Sequence, residues 1–463
     1  MDVPITLLDE LRAAIGPNAL HAGDAMPPAH FGDWYGPVEG SGRPIAVALP
    51  RGTEDVSAIL RLCHAHRVPV VPQGGLTGLV GGAAPIAGCV ALSLSRMRAI
   101  EEVDAAAATI TVQAGAPLQT VQEAADAAGL LFPLDIGSRG SCAIGGNIST
   151  NAGGNRVLRY GMAREMVLGI EVVLADGTVL TSLNKMLKNN AGYDLKQLFI
   201  GSEGTLGVVT RLVLRLFPKP ESVCTAFCGL PDYPAVLEFL RRARAKLGSA
   251  LSAFEVIWPE FYTLATTAHR IRPPLAGQHP IYVLLDSLGA DQQQDTETFA
   301  RFMETALEDG IVQDAVLAQS HAQSRDLWAL RDSVAQFGQS FDPHVGFDVS
   351  LPIARMQDFI DECRTDLLAN DPASRTLWFG HVADSNLHIL VKLEPGGPTK
   401  KQIDAIVYAR VRDFQGSISA EHGIGLLKKP YLGYSRSPVE LDLMRRIKSA
   451  LDPLAILNPG KVF

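Results

Sequence analysis

A chain of 463 residues is well beyond the roughly 100–200 residues of one domain, so two or three domains are expected. The net charge of −8, with lysines and arginines scattered rather than clustered, excludes nucleic acid as a natural partner, because phosphate binding needs concentrated positive charge. Hydrophobic residues make up 47% and charged residues 19%, and no apolar run is long enough to act as a transmembrane segment; Arg211 and Arg215 interrupt even Val208 to Phe217.

The N-terminus carries acidic residues at positions 2, 9 and 10 and no basic region, which reads as neither a secretory signal nor an Arg-rich transit peptide. The six cysteines (63, 89, 142, 224, 228 and 363) form no Cys-x-x-Cys pair, and a chain this large does not need a disulfide framework. A reducing compartment is expected: the cytoplasm, or an organelle matrix if the chain is a processed form.

In chain order, residues 1–44 read as a lead-in, with a short helical pattern at Leu7, Leu8 and Leu11 stopped by Gly16-Pro17. From 45 to 220, short β runs (45–49, 68–71, 90–94, 109–112, 167–174, 211–216) alternate with helical patterns at 53–66 and 118–128, in a segment unusually rich in glycine. After Pro218-Lys219-Pro220 the glycines thin out. Strands near 223–228, 281–286, 345–349 and 376–392 then alternate with helices at 233–246, 292–307, 320–338 and 353–368. This predicts a second domain over 221–422, an antiparallel sheet with helices on one face. The tail, 423–463, reads as two helices. The fold class is α+β.

The densest local signal is Pro72-Gln73-Gly74-Gly75-Leu76-Thr77-Gly78-Leu79-Val80-Gly81-Gly82, directly after a strand. Such a loop lets several backbone N–H groups converge on an anion with no Cβ in the way, as a dinucleotide pyrophosphate requires; taken alone it is as well read as a flexible surface loop. The segment from Pro133 to Gly154 repeats the device with hydroxyls and amides interleaved, at Ser138, Gly140, Ser141, Gly145, Gly146, Asn147, Thr150 and Asn151. Two such loops favour a large ligand. Neither Gly-x-Gly-x-x-Gly nor Gly-x-x-x-x-Gly-Lys-[Ser/Thr] occurs, which disfavours a nicotinamide Rossmann domain and a phosphate-loop NTPase.

These loops, with Asn190-Ala191-Gly192-Tyr193-Asp194-Leu195 and Phe199-Ile200-Gly201-Ser202-Glu203-Gly204-Thr205-Leu206-Gly207, resemble the FAD-binding domain of the vanillyl-alcohol oxidase and p-cresol methylhydroxylase superfamily. The likeness runs from about residue 45 to the end and is greatest to the FAD-linked D-2-hydroxy acid dehydrogenases, the D-2-hydroxyglutarate and D-lactate branch. It implies a p-cresol-methylhydroxylase-type FAD domain, a substrate or cap domain with an antiparallel sheet, and C-terminal helices returning to the flavin. Pro72, Gln73, Gly74, Gly75, Leu76, Thr77, Gly78, Pro133, the eight loop residues named above, Gly204 and Asn458 would then contact FAD. No histidine lies between His66 and His269, so FAD is expected to be non-covalent.

The sequence Gly380-His381-Val382-Ala383-Asp384-Ser385-Asn386-Leu387-His388 joins two β runs. If Asp384-Ser385 is a two-residue hairpin loop, paired positions sum to 769 and the two histidines face each other, near enough to meet one metal. Ser385 occupies a family glycine position and would resist positive φ. A half-buried cross-strand pair is the commoner meaning of an isolated His-x6-His. However, Ser419-Ala420-Glu421-His422-Gly423-Ile424-Gly425 resembles the family's second signature, in which Glu421 completes a metal site with His381 and His388. Zinc suits these N and O ligands, with manganese as rival. His422, an imidazole able to act as a general base, would take the substrate hydroxyl proton. Gly423 and Gly425 would supply the bend that lets Glu421 and His422 serve one centre.

By the same resemblance Arg331, in Trp328-Ala329-Leu330-Arg331, grips the substrate carboxylate. Where the 2-hydroxyglutarate enzymes carry threonine, lysine and asparagine, this chain has Ala335, Gly346 and Leu390. The class D-2-hydroxy acid is therefore expected, without a named acid. With no cysteine cluster for an iron–sulfur centre, electrons would pass to a separate acceptor: an electron-transfer flavoprotein, a quinone or a cytochrome. A homodimer is compatible with the sequence. The competing readings are a flavin oxidase using O2 and a non-catalytic flavin- or metal-binding protein.

Overall fold

The computed structural model describes residues 5–463, which form two compact units. The first comprises the chain up to Gly153, Gly161–Lys219 and Glu421–Phe463; the second comprises Gly154–Tyr160 and Pro220–Ala420.

The first unit holds two main sheets. One has four strands in the order Leu20–Ala22, Ala46–Ala48, Val90–Ser93, Val70–Gln73, the last three parallel and the first antiparallel to its neighbour. Its parallel strands are short apolar runs buried on both faces, and helix Thr53–His66 crosses between two of them. The segment expected to be a lead-in is part of this sheet: Leu20 pairs with Ala48, and helix Ile5–Ile15 buries Leu7 and Leu11. The second sheet is antiparallel, in the order Ile100–Asp104, Thr109–Gln113, Val208–Arg215, Val167–Val173, Val179–Ser182. The tail returns to the first sheet, where Leu457 bridges Val70 in parallel and the N–H of Asn458 donates to Val70 O at 2.8 Å.

The second unit is built on one seven-stranded antiparallel sheet: Asp314–Leu317, Ser222–Leu230, Ile281–Gly289, Leu251–Ile257, Thr376–Gly380, Asn386–Lys392, His344–Ser350. Two of its helices start with matched caps: Asp232 accepts from Ala235 N and Ser320 from Gln323 N. The helix expected at 320–338 ends at Asp332 and continues as a 3-10 turn, Ser333–Gln336. Strand Leu251–Ile257, buried at every position, has no counterpart among the strands read from the sequence. Within this unit Arg159 donates to Ala250 O and Leu288 O, tying the short insert Gly154–Tyr160 to the sheet.

The hairpin register differs from the sequence reading. Phe379 faces His388 and Trp378 faces Ile389, so paired positions sum to 767 rather than 769. The connection is a 3-10 turn, Val382–Asp384, closed by Ser385 at φ 75°, and not a two-residue loop. Its backbone donors are engaged without a glycine: Asp384 N and Asn386 N both donate to His381 O, and Ser385 N to Val382 O.

Candidate functional sites

In the first unit the glycine loops pack too closely for a side chain at several positions. A Cβ on Gly75 would lie 2.1 Å from Ser141 O, one on Gly145 2.6 Å from the Ala114 Cβ, and one on Gly204 3.1 Å from the Pro72 ring. The first loop, the second loop and the Gly204 turn are thereby locked together. The backbone N–H groups of Gly74 through Leu79 are half-buried and donate to no acceptor among the described residues. Such a row of unspent donors fits an anionic ligand.

Two amides predicted to touch the cofactor, Asn147 and Asn458, are buried, and their Oδ1 atoms have no hydrogen-bond partner among the described residues. The other end of Asn458 is engaged, its Nδ2 donating to Gly82 O at 3.1 Å and to Glu203 O at 2.7 Å. Orphaned acceptors next to unspent donors suit a large polar ligand such as FAD. Asn151 adopts φ 51° and accepts from Arg164 N, and Thr150 donates to Gly146 O. The Gln73 side-chain amide bonds to His30 Nδ1, His30 O and Ala83 O and so braces the loop.

Gly75→Ala should force the loops apart. Overpacking against backbone costs about 1–3 kcal/mol, so the purified variant is expected to carry less FAD, read as visible flavin absorbance per protein. Full flavin content would refute this account of the loop.

In the second unit the functional side chains gather on neighbouring strands. Glu255, on the strand missed in the sequence, is 1% exposed. It accepts from Arg331 Nε at 2.8 Å and pairs with His381 Nδ1 at 2.5 Å. Burial alone would raise this carboxyl; the His381 ring and the Arg331 guanidinium outweigh it and hold it at about 2. Arg331 lies over the Phe379 ring at 4.9 Å, and its Nη2 is 3.5 Å from His381 Nε2. A carboxylate on Nδ1 fixes the tautomer that presents Nε2 as a lone pair, the arrangement typical of a metal-binding histidine.

The rings of His381 and His388 meet edge to face, 5.3 Å between centroids, although they are not ladder partners. Opposite His388 stands Asp348, fully buried, which accepts from Asn386 Nδ2, Ser419 Oγ and Ala420 N. Ala420 is followed directly by Glu421 and His422. Asp348 and His388 of this unit, and Glu421 and His422 of the first unit, each offer imidazole or carboxylate donors of the kind a metal ion takes. His381, held through Nδ1 by Glu255, keeps Nε2 3.5 Å from Arg331 Nη2. A set of imidazoles and carboxylates suits zinc or manganese. The signal that could have revealed Glu255 is a single carboxylate in the apolar run Leu251-Ser252-Ala253-Phe254-Glu255-Val256-Ile257, which a buried strand tolerates only with partners.

Along the strand that carries His388, residues 388, 390 and 392 share a face. Leu390 is flanked by Leu377 and Gly346, and Lys392 by His344. Lys392 Nζ donates to Asp342 O and His344 Nδ1 pairs with the Asp342 carboxylate, each at 2.6 Å. Ala335 lies exposed on the 3-10 turn after Arg331.

Residues 44–182 match the family described as FAD binding domain, and residues 219–462 match FAD linked oxidases, C-terminal domain. The chain belongs to the FAD-linked oxidase family and, within it, to the D-2-hydroxy acid dehydrogenases. It is 42% identical to the mitochondrial D-2-hydroxyglutarate dehydrogenase of Bos taurus, over 93% of this chain and 78% of that one. It is also 42% identical to the D-2-hydroxyglutarate dehydrogenase of Xanthomonas citri pv. viticola, over 94% and 92%. The fold is shared with p-cresol methylhydroxylase solved with substrate bound: TM-score 0.78 at 18% identity, covering 99% of this chain and 96% of that one. No helix of the described residues is long and apolar enough to cross a membrane.

Proposed function

We propose that this chain oxidises a D-2-hydroxy acid to the 2-oxo acid with non-covalent FAD and a divalent metal, zinc ahead of manganese, held by His381, His388 and Glu421. The observation that carries the reading is the buried Arg331–Glu255–His381 network on the sheet that also bears His388. It fixes a guanidinium fork next to metal-type imidazoles. A protein that merely stores flavin has no use for it.

Arg331, oriented by Glu255, binds the substrate carboxylate through its remaining N–H groups. His422 accepts the proton of the 2-hydroxyl. FAD, when bound, supplies the two-electron acceptor for the Cα hydrogen, which leaves with its electron pair as C2 becomes a carbonyl. The metal would supply Lewis acidity to the hydroxyl and carboxylate oxygens. The electrons then pass from the flavin to a separate acceptor.

The side-chain end of the substrate meets an apolar layer. One step along the strand, about 7 Å from His388, stand Leu390, Leu377 and Gly346, where a second carboxylate would want a cation. Lys392 and His344, a step further, are engaged by Asp342. The preferred acid therefore has a short or apolar side chain.

The test is anaerobic bleaching of the flavin by paired D and L acids, before and after chelation. D-lactate or D-2-hydroxybutyrate should bleach it faster than D-2-hydroxyglutarate, and chelation should slow all of them. Bleaching by L acids only, or indifference to chelation, would contradict the reading. A faster reaction with D-2-hydroxyglutarate would remove the apolar-layer argument.

A further inference from the structure

Glu203 is a buried carboxylate in the first unit that the mechanism above does not use. Its Oε1 accepts from Ile424 N at 2.7 Å and its Oε2 from Gly425 N at 2.8 Å. Gly423 and Gly425 adopt φ of +86° and +52°, and a Cβ on Gly423 would lie 2.9 Å from the Glu203 carboxyl carbon, so the loop closes tightly on this side chain. The backbone of Glu203 faces the cofactor loops. Its N–H donates to Ser149 O at 2.8 Å, and its C=O accepts from Asn458 Nδ2.

The stretch Glu421-His422 is thus anchored on either side along the chain. Ala420 N is held by the Asp348 carboxylate, and Ile424 N and Gly425 N are held by that of Glu203. A carboxylate suits the second anchor because each oxygen must accept one N–H. An amide of the same shape offers one acceptor and turns an NH2 group toward the other donor.

We propose that Glu203 is a positioning residue, a clasp that presents Glu421 and His422 for reaction and ties their loop to the Asn458 junction of the FAD unit. The inference rests on Glu421 being a metal ligand. Through the clasp, order in the flavin loops and order in the acid–base loop depend on one side chain. Loss of an outer-shell partner of a metal ligand typically weakens metal binding by about 10–100-fold.

The experiment compares wild type, Glu203→Gln and Glu421→Gln by three measurements: flavin content, hydrogen exchange of peptides covering 420–427, and zinc affinity by competition with a chromogenic chelator at fixed pH. For Glu203→Gln the expected result is retained FAD, faster exchange confined to 420–427, and zinc bound at least about tenfold more weakly. Unchanged exchange overturns the clasp. So does faster exchange with wild-type zinc affinity when Glu421→Gln binds zinc weakly. Wild-type zinc affinity in Glu421→Gln shows instead that the ligand reading has failed, and the positioning role falls with it. If Glu203→Gln does not hold FAD, Glu203→Asp, which keeps both acceptor oxygens on a shorter stem, carries the same comparison.

Discussion

Arg331→Met should lose both stability and activity, and the two losses should be separable. Arg331 is 7% exposed and donates to Glu255, which is itself almost wholly buried. Removing one partner of a buried pair strands the other, at a cost of about 3–5 kcal/mol, measurable as a lower urea midpoint with unchanged slope. Loss of a charged hydrogen bond to the substrate carboxylate should lower kcat/KM by roughly tenfold to hundredfold. Adding Glu255→Leu removes the stranded charge, so the double variant is expected to regain stability without regaining activity. Recovery of both would mean that Arg331 serves packing alone. Arg331→Lys should not rescue, because an ammonium cannot hold Glu255 and bind a carboxylate as a planar fork does.

The second large effect is expected at His422. If it takes the hydroxyl proton, His422→Asn should lower kcat by about 10²–10⁴-fold while FAD content, zinc content and KM change little. A variant that keeps the wild-type kcat would assign the proton to another group.

The row of unspent N–H groups at Gly74–Leu79 was legible because its requirement is local: glycines crowded into one stretch leave donors without acceptors, and composition alone reveals it. The thinning of glycine after Pro220 coincides with the point where the chain enters the long segment of the second compact unit. Glu255 was hidden because its meaning is not local; its partners lie 76 and 126 residues away, and nothing in Leu251–Ile257 names them. Strand pairing around the histidines was misjudged because Ser385, a residue that resists positive φ, nevertheless accepts 75° once Ser385 N donates to Val382 O and Asn386 N to His381 O. The bend after Glu421-His422 could be anticipated from Gly423 and Gly425, but the side chain filling it, Glu203, lies more than two hundred residues earlier in the chain.

The return of the tail to Val70 bears on how the protein is made. Synthesis delivers the loop at 72–82 early, yet Asn458, which joins that loop to Glu203, emerges only after the whole of 220–420. Domains fold largely in the order they leave the ribosome, and here the order is inverted. The second unit can complete its sheet while the first still waits for its last segment. A chain stalled after residue 420 would then hold every strand of the second unit's sheet and a first unit without the Asn458 contacts to Gly82 and Glu203.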